Sequence, residues 1–553
     1  MKKNIFSMAA SPVSVSVFVP ALVFVFALGM SGCNAFLEEN PKDAMDEEEV
    51  AQSSSLLYLS TVASVYNEIG GSGGGQGLGG TDRGIYDLNT FSTDEAMLPT
   101  RGGDWYDGGL WQALFRHEWG TKNDLVKSSW DYLYRVVGIA NQSLDKIEEL
   151  LEASPETEHF KAYRAELRAV RALFYYYLLD MFGRVPIITS SNTKIADVSQ
   201  SQRPEVFAFV RKELEESVDL LSAAHSNLQG EYYGRMTQPV AYFLLARLAL
   251  NAEVYADNDR TDDAKPNLDD IKFKTPDGEK TPWDAVIAYC DKIKDLGYEL
   301  ASDFSANFSV TNESSKENIF VIPMDPVLYS ARNYNMVRSR HYEHGKAINN
   351  QAGWNGAAAT IEAVTVFGYE TDTEDPRFDL TYYHGKVFDL NGNPVSNGDE
   401  QLEYPPKAIK LDISNDAAEK TAGARMKKYE ADPNAQESGN LQRNDYVLFR
   451  YADVLLMRSE ALVRSGRSGD DDLNRVRSRV GVPPRSNATL ANILDERLLE
   501  LAWEGHRRQD LVRFGQYNKA ITHRPATGKH LDVFPIHDDV LSLNSKLAQN
   551  PGY

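Results

Sequence analysis

The chain has 553 residues, ordinary hydrophobic (42%) and charged (25%) content, and a formal charge of −22 from 58 basic and 80 acidic residues. At about 150 residues per domain it is long enough for more than one structural unit, and its composition excludes disorder for the bulk of the chain. The charge argues against a nucleic-acid partner, which needs clustered Lys and Arg, and disfavours polyanionic glycans unless a local basic patch overrides the average; two cysteines exclude a disulfide framework.

From the N-terminus, Lys2 and Lys3 make a positive start and residues 4–37 carry no charge. The apolar stretch 13–28 suits a signal h-region and is short for a membrane span. Pro12 and Pro20 interrupt it as a continuous helix. It ends in GMSGC, with Ser31 and Gly32 directly before Cys33. This resembles a bacterial lipoprotein signal in which Cys33 is lipidated and becomes the first mature residue. An ordinary cleaved signal peptide and a spanning anchor are the alternatives. Each buried methylene contributes ~0.8 kcal/mol, so several acyl chains anchor firmly where one does so only marginally. Residues 1–32 therefore read as a signal peptide and 33–553 as a single unit, with an N-terminal part to about 300 and a C-terminal part beyond it.

The glycine run 70–80 fits both a dinucleotide fingerprint and a nucleophile elbow by letter. It follows a helical pattern instead of a strand, so it reads as a flexible loop. Residues 92–112, STDEAMLPTRGGDWYDGGLWQ, place Trp105, Tyr106 and Trp111 among glycines and acids where the backbone is irregular. Next, HFKAYRAELRAVRALFYYYLLDMFG spaces Phe160, Tyr163, Leu167, Val170, Phe174, Tyr177 and Met181 by three and four, which predicts an amphipathic helix. Arg164, Arg168 and Arg171 fall largely off that face. Gly183 stops the helix, and Pro186 makes RVPII extended. TQPVAYFLLARLALNAEVYA predicts another helix, with Thr237 placed to cap it. A charged insertion over about 257–280 follows, and TPWDAVIAYCDKI restarts a helix at Thr281, with Cys290 read as a small buried hydrophobe.

Residues 301–440 are mostly not helical. They hold a strand-like ENIFVIPMD and turn clusters such as DLNGNPVSNGD. His341 and His344 lack an obvious third metal ligand and read as surface histidines. The helical segment 441–520 carries YVLFRYADVLLMRSEALVRSG, DDLNRVRSRVG and LANILDERLLELAWEGHRRQDLVRFG, with GDDD at 469–472 as a solvated turn or helix start. Helix pairs of about 34 residues are the unit of tetratricopeptide repeats. The fold class is thus mainly α: tetratricopeptide-like helix pairs as scaffold, with large irregular loop regions and a few short strands.

The lipidation signal, FLEENPKD, STDEAMLPTRGGDWYDGG, RVPII, AGWNGAAAT, LNRVRSRVG, ERLLELAWEGHRRQDLVRFG, VFPI and the terminal QNPGY together resemble the SusD/RagB family of outer-membrane lipoproteins. The resemblance covers essentially the mature chain and is most specific over 496–515; Gln509 stands where the family commonly has an aromatic. It implies one α-rich fold and a non-enzymatic, cell-surface nutrient-binding lipoprotein. Such a protein sits as a lid on a SusC-like TonB-dependent transporter, mostly capturing oligosaccharides or polysaccharides, and in one branch peptides.

A sugar ring has an apolar C–H face that a flat indole matches, while carboxylates and amides bond the hydroxyls. Trp105 is read as the stacking platform, with Tyr106 beside it and Arg101, Asp104 and Asp107 as hydrogen-bonding partners. Trp354 and Asn355 are further ligand candidates. Trp111, in the helix-like LWQALF, reads as a pin that holds the loop to the body. No cofactor, metal or catalytic residue is expected. A peptide-binding lid and, further off, a surface glycosidase are the competing functions. The first would need backbone-pairing edges and apolar pockets, the second two carboxylates facing one cleft.

Overall fold

The computed structural model describes residues 54–71, 76–155, 157–328 and 331–553. The signal peptide and Cys33 lie outside the described residues.

Helix α1 (Asp124–Ala153) starts where the Asn123 side chain accepts from Leu125 and Val126 N–H, satisfying two donors that a helix start leaves open. After four connecting residues α2 (Glu158–Phe182) begins, a connection short enough for a helical hairpin, and the two pack together. Helix α3 (Arg203–Ser217) packs on α2 in turn, opened by a capping box between Gln202 and Glu205. The same pairing recurs in α4 (Gln238–Leu250) with α5 (Pro282–Asp295), and in α6 (Tyr451–Arg464) with α7 (Asp470–Arg479) and α8 (Leu490–Leu501). Helix α5 also packs on α6, so the chain leaves the scaffold for the irregular segment and returns to the same place. The architecture is mainly α, as expected.

Local details differ from the sequence reading. Arg171 is inside the protein, where its guanidinium meets Glu213 of α3 at 2.5 Å. From Ala165 onward α2 is buried on nearly every side, so a polar residue there needs a partner instead of solvent. Thr237 and Thr281 occupy N-cap positions but make no capping bond through their side chains. Pro239 has removed one of the donors the Thr237 hydroxyl would serve. Cys290 is buried, as expected, and burial pushes its thiol up. His341 and His344 are not on the surface. Both are buried, and desolvation pushes them down to about 4 and about 3. Gly77, Gly79 and Gly80 of the glycine run are packed; a Cβ at Gly80 would meet Asn333 Oδ1 at 2.5 Å.

The strand-like ENIFVIPMD forms β1 (Asn318–Ile322), which pairs antiparallel with β2 (Tyr446–Arg450) immediately before α6. Both strands are buried throughout. The segment 496–515 supplies much of a buried ion network. Arg450 reaches Glu317 (2.8 Å), Glu500 (2.5 Å) and Glu504 (2.7 Å); Arg377 reaches Glu496 (2.6 Å); Arg497 reaches Asp453 (2.7 Å) and Asp510 (2.8 Å). Helix α9 (Arg507–Arg513) extends the network to the start of the tryptophan-bearing loop, because Arg507 holds Asp94 at 2.7 Å. The Glu95 carboxylate accepts from Trp503 N–H at 2.9 Å.

Candidate functional site

Two short pairings stitch the loop 92–112 onto the irregular segment. Ala96–Met97 pairs antiparallel with Ala358–Ala359, and Thr100–Arg101 pairs parallel with Asp412–Ile413. A small apolar cluster of Met97, Phe115, Ala358, Ile409, Leu411, Ile413 and Ala422 lies beneath them. Each buried Met, Phe, Leu or Ile side chain of the cluster contributes about 1.5–3 kcal/mol, enough to hold a loop that has little regular structure.

Beyond Arg101 the chain turns sharply. Gly102, Trp105, Asp107, Gly108 and Gly109 all take positive φ, and for Trp105 (φ 63°) and Asp107 (φ 44°) this conformation is unusual. The surrounding contacts impose it. Trp105 Nε1 donates to the Trp354 carbonyl at 2.9 Å, and its ring meets Trp111 edge-on at 6.3 Å. Trp105 and Trp354, 249 residues apart in sequence, lie with ring centroids 6.4 Å apart. Tyr334 stacks on Trp354 at 5.4 Å. All three rings are half-buried, so they form one continuous aromatic face that keeps part of its area in solvent. Tyr106 stands next to it, 58% exposed. Gly356 is required under Trp105: a Cβ there would lie 2.6 Å from Cε2 of the indole.

The polar rim is smaller than the sequence suggests. Asp104 is exposed; its Oδ2 accepts from the Tyr342 hydroxyl at 2.6 Å, and its Oδ1 has no hydrogen bond among the described residues. Burial, then Asp104, raises the Tyr342 phenol above its ordinary value. Asp107 Oδ2 accepts both from Trp111 Nε1 (2.8 Å) and from Arg83 (2.9 Å), so part of this carboxylate serves the loop itself. Trp111 is fully buried and acts as the expected pin.

Arg101 and Asn355 do not face the platform. Arg101 is 0% exposed and donates to the carbonyls of Gly356, Lys420 and Ala422. Burial, and then the nearby Arg425, push its guanidinium below its ordinary value. Asn355 is also buried, donating to Lys420 O and accepting from Arg425. Backbone carbonyls in an irregular segment need donors, and these two side chains supply them from behind. They support the loop from behind; Asp104, Tyr106 and Asp107 are exposed, and Trp105 and Trp354 are half-buried. Sequence reasoning missed Tyr334 and Tyr342. Their only sequence signal was aromatic residues in an irregular stretch shortly before Trp354.

Two family models match the chain: one described as the SusD family over residues 316–553, the other as starch-binding associating with the outer membrane over residues 35–250. The starch-binding protein SusD of Bacteroides thetaiotaomicron is 23% identical, the match covering 97% of this chain and 98% of that protein. A SusD-like protein of Bacteroides ovatus is also 23% identical, over 75% of this chain and 70% of its own length. Among solved structures, a laminarin-binding SusD-like protein superposes with a TM-score of 0.67 at 22% identity, covering 90% of this chain and 99% of that one. The surface glycan-binding protein A of Bacteroides thetaiotaomicron in complex with laminarihexaose superposes with a TM-score of 0.65 at 19% identity, covering 89% and 98%.

Proposed function

This chain belongs to the SusD/RagB family, and we propose that it is a cell-surface lipoprotein that captures oligosaccharides and passes them to a SusC-like TonB-dependent outer-membrane transporter. It is a binding protein and not an enzyme. The observation that carries the reading is the half-exposed Trp105–Trp354–Tyr334 face, edged by Tyr106 and Asp104. Trp105 has already used its N–H on Trp354, so it offers a ligand its ring face. Covering about 80 Å² of indole at ~25 cal/mol/Å² is worth roughly 2 kcal/mol before the costs of binding. Two such rings supply about 4 kcal/mol, equivalent to roughly 1 mM before ordering is charged, so tighter binding must come from the polar edge and further contacts. That strength suits a lid that must let its cargo go, and a long chain gains avidity from repeated contacts.

Neutral glucans are the ligands to test first. Relatives of this fold are named for starch and laminarin, and a charge of −22 disfavours polyanions. The N-terminal match to a model described as associating with the outer membrane supports the location, and Cys33 is the proposed lipid anchor. A glycan-array screen and calorimetry on the chain from about Glu38 onward test the reading. Trp105→Ala is expected to weaken glycan binding at least tenfold with Tm within a few degrees. A comparable loss of fold stability would make the ring structural, and release of shortened products from a polysaccharide would defeat the lid.

A further inference from the structure

A second pocket lies between the end of α2, the start of α3 and the C-terminal tail. It is small, with about 30 Å³ of cavity volume, and its charged lining is Arg184, Arg203, Arg260 and Lys529 with Asp259 and Asp532; Asp257 and Asp263 beside it pair with Arg260 (3.5 Å) and Lys529. It shares no residue with the aromatic face.

Arg203 is the informative member. It is 4% exposed, yet no side-chain hydrogen bond or ion pair holds its guanidinium among the described residues. Its Nε and Nη2 are sealed from solvent without partners. Its guanidinium carbon lies 5.6 Å from the Tyr255 ring centroid, and Asp180 and Asp532 act on it without a hydrogen bond. The other buried arginines all have acceptors: Arg171 has Glu213, Arg508 has Asp180, and even Arg101 has three carbonyls. Burial, and then Arg260, push Arg203 down to about 10. It is also the first residue of a 15-residue helix, where the helix dipole disfavours a cation.

The carboxylates of the pocket do not remedy this. Asp532 is taken by Arg260 (2.8 Å) and Asn518 (2.6 Å). Asp259 Oδ1 is taken by the backbone and hydroxyl of Thr261. Arg184 is held in place by two neutral acceptors, Gln549 O (2.6 Å) and Asn550 Oδ1 (3.4 Å), and has no carboxylate hydrogen-bonded to it among the described residues, Asp259 acting on it only at longer range. A buried cation without an acceptor calls for a missing counter-charge.

We propose that this pocket binds a small oxyanion, such as phosphate or a sulfate group, between Arg203, Arg184 and Arg260. Guanidinium groups suit such ligands because their planar donors match oxyanion geometry. The anion would join α3 to the C-terminal tail, so its binding is read as stabilisation of the fold as well as heat of titration.

The test uses the full-length chain in detergent at pH 7, titrated with sodium phosphate or sodium sulfate while NaCl holds the ionic strength constant. A saturable rise in Tm of several degrees and a matching calorimetric isotherm are expected. Arg203→Met is expected to fold with an unchanged or higher Tm in NaCl alone and to bind the anion at least tenfold more weakly. Should that variant not fold, Arg184→Gln, at the rim, is expected to weaken binding several-fold. No saturable response in the natural chain, or an undiminished response in the folded variants, overturns the proposal. Competition by a sulfated oligosaccharide, absent with its desulfated form, would make the anion a substituent on a larger ligand; binding of the free ion alone would make it a resident ion.

Discussion

Trp105 holds a positive φ that a bulky side chain avoids, at a cost of order 1–3 kcal/mol. The strain persists because the Trp354 carbonyl, the Trp111 edge and the space over Gly356 together leave the indole one place to go. Gly356→Ala therefore tests the platform without touching a ligand. The new Cβ would lie 2.6 Å from Cε2 of Trp105 and 2.9 Å from the Arg338 carbonyl, so the ring must move. Glycan affinity is expected to fall at least fivefold and stability by about 1–3 kcal/mol, as for overpacked sites. In the double variant with Trp105→Ala the stability cost is expected to be less than additive, since the clashing ring is gone. Additive costs in urea denaturation would place the clash elsewhere. At this scale the sequence was partly legible. The start of a helical pattern in LWQALF marks Trp111 as buried, and glycine-flanked aromatics mark Trp105 as exceptional. Arg101 and Asn355 were illegible, because their partners are backbone carbonyls of residues 356 and 420–422 that no local pattern brings near.

The elements are held less by regular sheets than by a buried ion network that ties α6, α8 and α9 to the strands and loops. Arg450, at the end of β2, serves Glu317, Glu500 and Glu504 at once. Arg450→Met would leave three buried carboxylates short of a counter-charge and is expected to destabilise by about 3–5 kcal/mol, the cost of breaking a buried pair from one side. A shift in the urea midpoint equivalent to less than about 1 kcal/mol would mean that Lys428 beside Glu504, Arg377 beside Glu500, and Arg479 beside Glu317 and Glu500 compensate. Helical periodicity found these elements, but it treated their charged residues as surface. The apolar stripe of α2 was visible in the sequence, whereas Arg171 required the facing Glu213 of α3 to make sense of its position. Gln509 fits the same pattern: it is buried, and its amide donates to the Tyr255 hydroxyl at 2.8 Å. The site of an expected aromatic is thus a polar junction.

For the whole molecule, the network sets the response to acid. Arginines beside Glu460, Glu500, Glu504 and Asp510 hold these carboxylates below their ordinary range despite burial. Their folded pKa values lie under the unfolded ones, so their stabilisation is present above about pH 4 and is lost as pH falls further. Glu95 has the opposite sign: burial pushes it up to about 8 against an ordinary value of 4.5, so its contribution declines as pH rises from there to about 8. Tm is expected to drop steeply below pH 4, and Glu95→Gln to flatten the profile between pH 5 and 8. An unchanged slope in that variant would assign it to other groups, such as Asp445, which burial raises to about 7. What the sequence determined by itself was the α scaffold, through residue spacing, together with the family pattern carried by 496–515 and the exceptional character of the tryptophan loop. These are properties of contiguous stretches. Only the tertiary structure decided that Trp105 meets Trp354, that Arg101 and Asn355 work from behind, and that Arg203 is left without an acceptor. Each of these depends on segments far apart in the chain being brought together, and chain order does not record that meeting.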